Sequence, residues 1–553
     1  MSEVLKQPAV VGAPAREPKE WTLRSYLPAA LAVGGAVALT LLRMEVGGER
    51  FIGDVSLMMI ALACYLTAAV FHLTNLYAPS TLFQRLGLWA AGLGVFFNLA
   101  SWGVRWVAAY DREWAIHMSE GTPMPWVWRY VPFANLYDLS LAFAFGAGIT
   151  TLLIAHRESF RFLGAVSLPL AALILVLARF IGGDIINLPP VLDSYWRPIH
   201  VGIASLSYGI ALVCFAVAVV YLLKDGVKTE AMAVWAAIFS LAVIATVSKG
   251  SVLAVGSVFW SFSGTVGSYG SAVFLPPRFP LPLRAELPHV GWLLFASGLL
   301  LAGVVALFLR YLYGGDERAG RIGHHLLKAA LVTQALAVCV LVYQVKAVQQ
   351  VAVCDGGAGR PAGTACIKTS QFQHAGAFIA EQEKLTPQQI ATIPVERLER
   401  AGEQFIRERQ GELFLSLQAN PVELAALITG FAATLFVIIF SFRTERLREA
   451  LPPKEKIDSL MYKTAGVTFA GLALLLMTGA IWANESWGRY WGWDSKETGA
   501  FVAWLTYGGF LHVRISRGWK GRASAYFAIV AFLLVIFTYL GVSYLLPGLH
   551  SYA

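Results

Sequence analysis

Toward its C-terminal end the chain reads WANESWGRYWGWDSKE over residues 482–497, and Trp482, Trp487, Tyr490, Trp491 and Trp493 put five aromatic rings into twelve positions. Gly488 and Gly492 interrupt the rings and allow close approach, while Arg489, Asp494, Lys496 and Glu497 supply a tight set of charges. Flat rings beside cations suit a large planar ligand that carries carboxylates. The rings stack on its face, and Arg489 or Lys496 meets its acid groups. An aromatic belt at a membrane interface would also gather Trp and Tyr, but a belt needs neither the glycines nor the charge set.

Histidines are the second chemical feature. His200 stands just before one apolar run and His550 just after the last, at one depth. His72 and His512 lie inside apolar runs, near the opposite side. Ionisable side chains within a membrane are costly and mark function by default, although a single packed, hydrogen-bonded histidine is the ordinary alternative. Neutral imidazole ligates haem iron, and two histidines are a common axial pair. The pattern predicts an outer haem-iron site at His200 and His550 beside the Trp-rich loop, and an inner one at His72 and His512. His117, His156, His289, His324, His325 and His374 read as solvated. The sequence contains no P-loop, GxGxxG or HExxH pattern.

These residues need a membrane scaffold to position them. Of 553 residues, 57% are hydrophobic and 14% charged, against about 25% charged in an ordinary soluble domain. Mean hydropathy is +0.61, which argues against a soluble enzyme. Apolar runs at 25–42, 55–77, 86–104, 139–155, 162–178, 201–223, 231–248, 290–309, 329–345, 424–442, 464–484, 498–513 and 524–546 predict about thirteen transmembrane helices. The expected fold is all-α, a polytopic integral membrane helical bundle, because a bilayer leaves an open strand edge unsatisfied. With the N-terminus inside, inner segments carry 23 Lys and Arg against 12 outside, the long loop 346–420 being left aside. That bias predicts an N-in, C-out chain. It also accounts for the net charge of +9 without a nucleic-acid partner. Residues 1–24 read as a cytoplasmic tail. The Gly/Ser/aromatic stretch 251–277 reads as an outer segment, with a further span as the alternative. In the outer loop 346–420, Thr386 marks a plausible helix start, and Cys354 and Cys366 are placed to pair if the compartment is oxidising.

The segment WGRYWGWDSKETGAFVAWLTYGGFLHVR, with the terminal GVSYLLPGLHSY, resembles the tryptophan-rich WWD signature of CcsA/ResC cytochrome c biogenesis proteins. PFANLYDL (132–139) and LPPKEKIDSLMYKTAG resemble further family segments, and the likeness covers about 83–225 and 450–553. The resemblance implies a system II protein that moves haem b across the bacterial cytoplasmic membrane and presents it to the CXXCH motif of apocytochrome c. A CcsB/ResB-type partner and a thioredoxin-like thiol reductant are implied with it. His200 and His550 match the two outer axial ligands, and His512 matches the transmembrane histidine; His72 fits by depth alone. Trp487, Tyr490, Trp491 and Trp493 would hold the ring and aim its vinyl groups at the cysteines. Asp494 would hydrogen-bond the loop or pair with Lys496 rather than act as a base. Ser495 and Ser543 depart from the usual Pro and Asn. The expected organisation is a tail (1–24), an N-terminal bundle (25–225), an insert (226–449) and a WWD core (450–553). A CcmC-like haem exporter without ligation activity is the alternative.

Overall fold

The computed structural model describes residues 23–124, 126–181, 185, 190–192, 194–247, 257–268, 281–347, 350–353, 364–367, 385, 389, 392–408, 413–419 and 421–542. The membrane body consists of α1 (Leu23–Val46), α2 (Asp54–Tyr77), α3 (Thr81–Glu120), α4 (Leu136–Ala155), α5 (Gly164–Ile181), α6 (Trp196–Lys224), α7 (Thr229–Val247), α8 (Val290–Gly314) and α9 (Glu317–Ala347). After α10 (Val395–Glu408) it continues with α11 (Pro421–Ser441), α12 (Thr444–Ala450), α13 (Lys454–Trp487), α14 (Ser495–Ser516) and α15 (Arg522–Ile536). Each of the thirteen apolar runs coincides with helix wherever its residues are described, apart from a 3-10 turn opening the fifth, the turn residue Phe442 ending the tenth and a π-turn near the end of the last.

Ten of these helices are long and apolar enough to cross a membrane: α1 to α6, α8, α9, α13 and α15. The pair α11 and α12, bent by 84° at a short break, is an eleventh candidate, and α7 is a shorter apolar helix. The chain is a multi-pass membrane protein. At about 1.5 Å per residue, the 40 residues of α3 and the 34 of α13 exceed a hydrocarbon core of about 30 Å. Both therefore project into the layer where the Trp-rich loop lies.

Two apolar cores divide the bundle. One gathers α2 to α6 with α13 to α15 and is filled by small and aromatic side chains, including Tyr65, Phe143, Tyr507 and Tyr539. The other joins α7, α8, α9 and α11 around Leu301, Phe308 and Leu341. Beside the second lies a sheet that the helical expectation lacked. It is built from β1 (Ser257–Ser268), β2 (Leu281–Pro288), β3 (Gln350–Val353), β4 (Thr364–Ile367) and β5 (Leu413–Ala419). Its order is β3-β4-β2-β1-β5, with β3 and β4 parallel and the other pairs antiparallel. The stretch 251–277 thus supplies a strand rather than a span. The helix expected in the long loop is α10. Thr386 and Cys354, like residues 1–22, lie outside the described residues.

At the end opposite the Trp-rich loop, ion pairs tie the helix termini of the first core. Asp225 meets Lys454 at 2.8 Å and Arg522 at 2.9 Å. Arg514 grips Asp458 through two bonds of 2.8 and 2.6 Å. Burial would raise the Asp225 carboxyl, but hydrogen bonds and charge from Lys454 and Arg522 outweigh it and hold the group below its ordinary value.

Candidate functional site

The loop between α13 and α14 is shaped by its own caps. Gly488 ends α13 in the left-handed region at φ 69°. Asp494 then starts α14 as the N-cap of a capping box: its carboxylate accepts from the Lys496 backbone N–H. Glu497 reaches back and accepts from the backbone N–H groups of Gly492 (2.9 Å) and Asp494 (3.2 Å). Between them Trp493 sits at φ 56°, a strained conformation for a bulky residue that persists only when its surroundings over-determine it. Glu497 provides that restraint by holding the backbone on both sides. The cap role of Asp494 follows directly from this geometry.

The loop folds back over its helices. Trp482 and Trp487 lie with ring centres 6.5 Å apart, and Trp491 meets Trp493 edge to face at 5.7 Å. His200, in the first turns of α6, approaches Trp482 to 5.6 Å. Its Nδ1 lies 3.0 Å from the Leu475 carbonyl oxygen on α13. A carbonyl can only accept, so Nδ1 carries the proton and Nε2 keeps the lone pair. That is the tautomer of a metal-ligating imidazole held by a backbone acceptor. Gly479 makes the approach possible: a Cβ there would fall 2.7 Å from His200 Cε1.

A cavity of about 1040 Å³, its open mouth included, lies between these elements. His200, Trp487, Tyr490, Trp491 and Lys496 line it together with Phe133, Asn135, Tyr208, Trp482, Glu497 and Tyr539. The first turn of α14 points its N-terminal dipole and Lys496 at this space, which favours acid groups. Tyr539 belongs to the π-turn Phe537–Gly541 and shares a hydrogen bond with Ser140. Among the described residues, no group of three or more His, Cys, Asp or Glu side chains could hold a metal ion by itself. A single imidazole beside flat rings suits an axial ligand to a metal already chelated in a plane.

The Phe133–Leu139 wall is held from behind by buried charge. Asp138 bonds Arg105 and accepts from Ala134 N–H at 2.9 Å. Arg105 also meets Asp54 at 3.3 Å, and Tyr137 donates to Asp54 at 3.1 Å. Asn135 caps α4 by accepting from Asp138 N–H. Removing one partner from such a buried set costs about 3–5 kcal/mol, so these contacts fix the position of this wall.

Residues 133–270 and 422–550 match the family model of the cytochrome C assembly protein. The match is confined to these two stretches. Every cavity-lining residue falls within them, whereas 271–421, inside the 226–449 insert, is unmatched. The chain is similar to a protein called cytochrome c biogenesis protein CcsA from Prochlorococcus marinus, 56% identical over 98 residues, or 18% of this chain and 31% of the relative. A CcsA from Prochlorococcus marinus subsp. pastoris is 44% identical over 142 residues, 25% of this chain and 44% of the relative. One from a Synechococcus species is 49% identical over 102 residues, covering 18% and 34%. The chain spans less than half the length of these curated CcsA relatives.

The expected outer residues divide. His200, Trp487, Tyr490, Trp491 and Lys496 share the cavity. Trp493 is 69% exposed and Arg489 is also exposed; with Asp494 they lie off its wall. His550 and Ser543 lie outside the described residues. The inner pair is not brought together by packing. His72 is buried in α2, enclosed by Gly87 of α3 and Gly164 of α5, while His512 is exposed on α14, which packs on α13 and α15. Among the described residues, neither His72 ring nitrogen has a hydrogen-bond partner. Sequence reasoning missed Arg105, Asp54, Tyr208 and Tyr539. Arg105 was detectable as a cation within the long apolar helix α3; Tyr208 and Tyr539 carry no such signal.

Proposed function

We propose that the chain serves cytochrome c biogenesis by holding haem b in the cavity beside His200 and presenting it for thioether attachment to the CXXCH motif of an apocytochrome c. The observation that carries this reading is the His200 imidazole, with Nδ1 tied to Leu475 O at 3.0 Å and the ring at the wall of a cavity lined by Trp487, Tyr490 and Trp491. The donor set fits the group. One neutral imidazole serves the iron, flat rings serve the macrocycle, and Lys496 with a helix N-terminus serves the propionates.

In this reading the Trp-rich loop faces outward from a bacterial cytoplasmic membrane, with thirteen spans and an inner N-terminus. His550 supplies the second outer ligand. Trp487, Tyr490 and Trp491 orient the ring edge toward the incoming thiols, so the chain's contribution is proximity and orientation. Exposed His512 receives haem at the inner side, where a CcsB/ResB-type partner completes its coordination in place of His72. A thioredoxin-like reductant keeps the CXXCH thiols reduced. Formation of covalent holocytochrome by the purified chain with that partner separates ligation from simple export.

The test is His200→Gly, purified under reducing conditions and examined by absorption with and without imidazole. The reduced bis-histidine spectrum should weaken in the variant and return when imidazole fills the gap. An unchanged spectrum would reject His200 as a ligand.

A further inference from the structure

We propose that a half-buried aromatic face of α13 and α14, made by Phe469, Trp504 and Phe501, is the track along which the flat ring passes between His512 and the cavity. The inference rests on the haem-handling reading above. Phe469 and Trp504 stack across the two helices at 5.3 Å and 14°, and Trp504 continues onto Phe501 at 6.0 Å and 29°. Phe501 then meets Trp491 at 6.0 Å and Trp493 at 6.4 Å. The line of rings therefore ends on Trp491, which is itself part of the cavity wall.

The other end follows from helix geometry. Phe501, Trp504, Gly508 and His512 are spaced by three, four and four residues, which puts them on one stripe of α14. Eleven residues at about 1.5 Å each carry that stripe roughly 16 Å from Phe501 to His512. Gly508 keeps the stripe open beside Phe469, since a Cβ there would come within 3.1 Å of that ring.

These rings are not sealed between the two helices. Instead they are half-buried, and Val502, Leu505 and Leu474 beside them are exposed. The Trp504 indole N–H is buried and makes no hydrogen bond among the described residues. Several similar stacking positions in a row also let a ligand advance without being trapped at one of them, the condition for conduction through any multi-site path.

Haem would be counted by pyridine haemochrome in the full-length protein, with and without Trp504→Ala, and in both cases again with His200→Gly. The haem left in His200→Gly is the pool held at the His512 end. Trp504→Ala should remove at least four-fifths of the His200-dependent pool and leave the residual pool unchanged, while Trp504→Phe, which keeps a flat ring, retains both. Undiminished His200-dependent haem in Trp504→Ala overturns the track but leaves the haem reading intact. Parallel loss of both pools with lowered thermal stability also overturns it, because Trp504 is then only a packing residue. A wild-type protein without haem at either end overturns the haem reading and the track together.

Discussion

Gly479→Ala isolates the placement of His200. In an ordinary helix interior this change stabilises by about 0.5–1 kcal/mol. In α13 the new Cβ would lie 2.7 Å from His200 Cε1 and 3.0 Å from Nδ1. Carbon atoms rest at about 3.5–4.0 Å, so the imidazole must retreat by roughly 1 Å. That movement breaks the bond to Leu475 O, a loss of about 0.5–1.5 kcal/mol. The two terms nearly cancel, and folding stability should change by less than about 1 kcal/mol. Ligand geometry has no such compensation, since a misplacement of about 1 Å at a reacting centre can cost about 100-fold. Haem retained through purification should fall roughly tenfold or more, while the thermal midpoint moves by only a few degrees. Gly466→Ala is the control: it lies on the same helix with nothing within 4 Å of its Cβ, and it should keep its haem. A Gly479→Ala protein with wild-type haem content and reduced spectrum would refute the argument that this contact positions the ligand.

Two further outcomes follow from the caps and ion pairs. Asp494→Ala should cost about 0.5–2 kcal/mol through the lost cap of α14, whereas Asp494→Ser should recover most of it and keep haem binding; equal damage from Ser and Ala, read by thermal unfolding and haem content, would point to a carboxylate role beyond capping. Asp225 is held below its ordinary value by Lys454 and Arg522, so its contribution is complete above about pH 4 and is lost as pH falls through the lowered native value. Asp225→Asn should lower the thermal midpoint near neutrality and flatten the acid limb of its pH profile; an acid limb of unchanged slope would remove Asp225 from that linkage.

The membrane helices were legible because their signal is additive. A run of about twenty apolar residues identifies a span whatever it packs against. The Trp-rich loop was legible for a related reason, since its aromatics, glycines and charges lie within one short segment. The cap role of Asp494 was readable from Glu497 three residues later, the spacing of a capping box. What failed to show were relations between distant segments. His72 and His512 match in depth, but depth is one coordinate, and the bundle sets them among different neighbours. The contacts of His200 with Leu475 and Gly479 cross 275 and 279 positions, which no periodicity reports. The sheet escaped because β1 pairs with β5, a strand some 150 positions later, and its Gly/Ser-rich sequence has weak strand alternation.

The division into two cores bears on what the insert does for the site. The cavity wall comes from residues 133–135 and the first turn of α4, from α6, α13, the Trp-rich loop and α14, and from the π-turn after α15. None of its residues belongs to α7, α8, α9 or α11, which pack around a second apolar centre, although α11 also reaches the first core through Phe440. The ion pairs that hold the wall are similarly local, among Arg105, Asp138 and Asp54. Residues that hold His200 and the Trp-rich loop thus form a closed set within the first core. The second core with its sheet adds surface beside that set rather than geometry within it, and the chemistry of the cavity is decided by the helices that the family match covers.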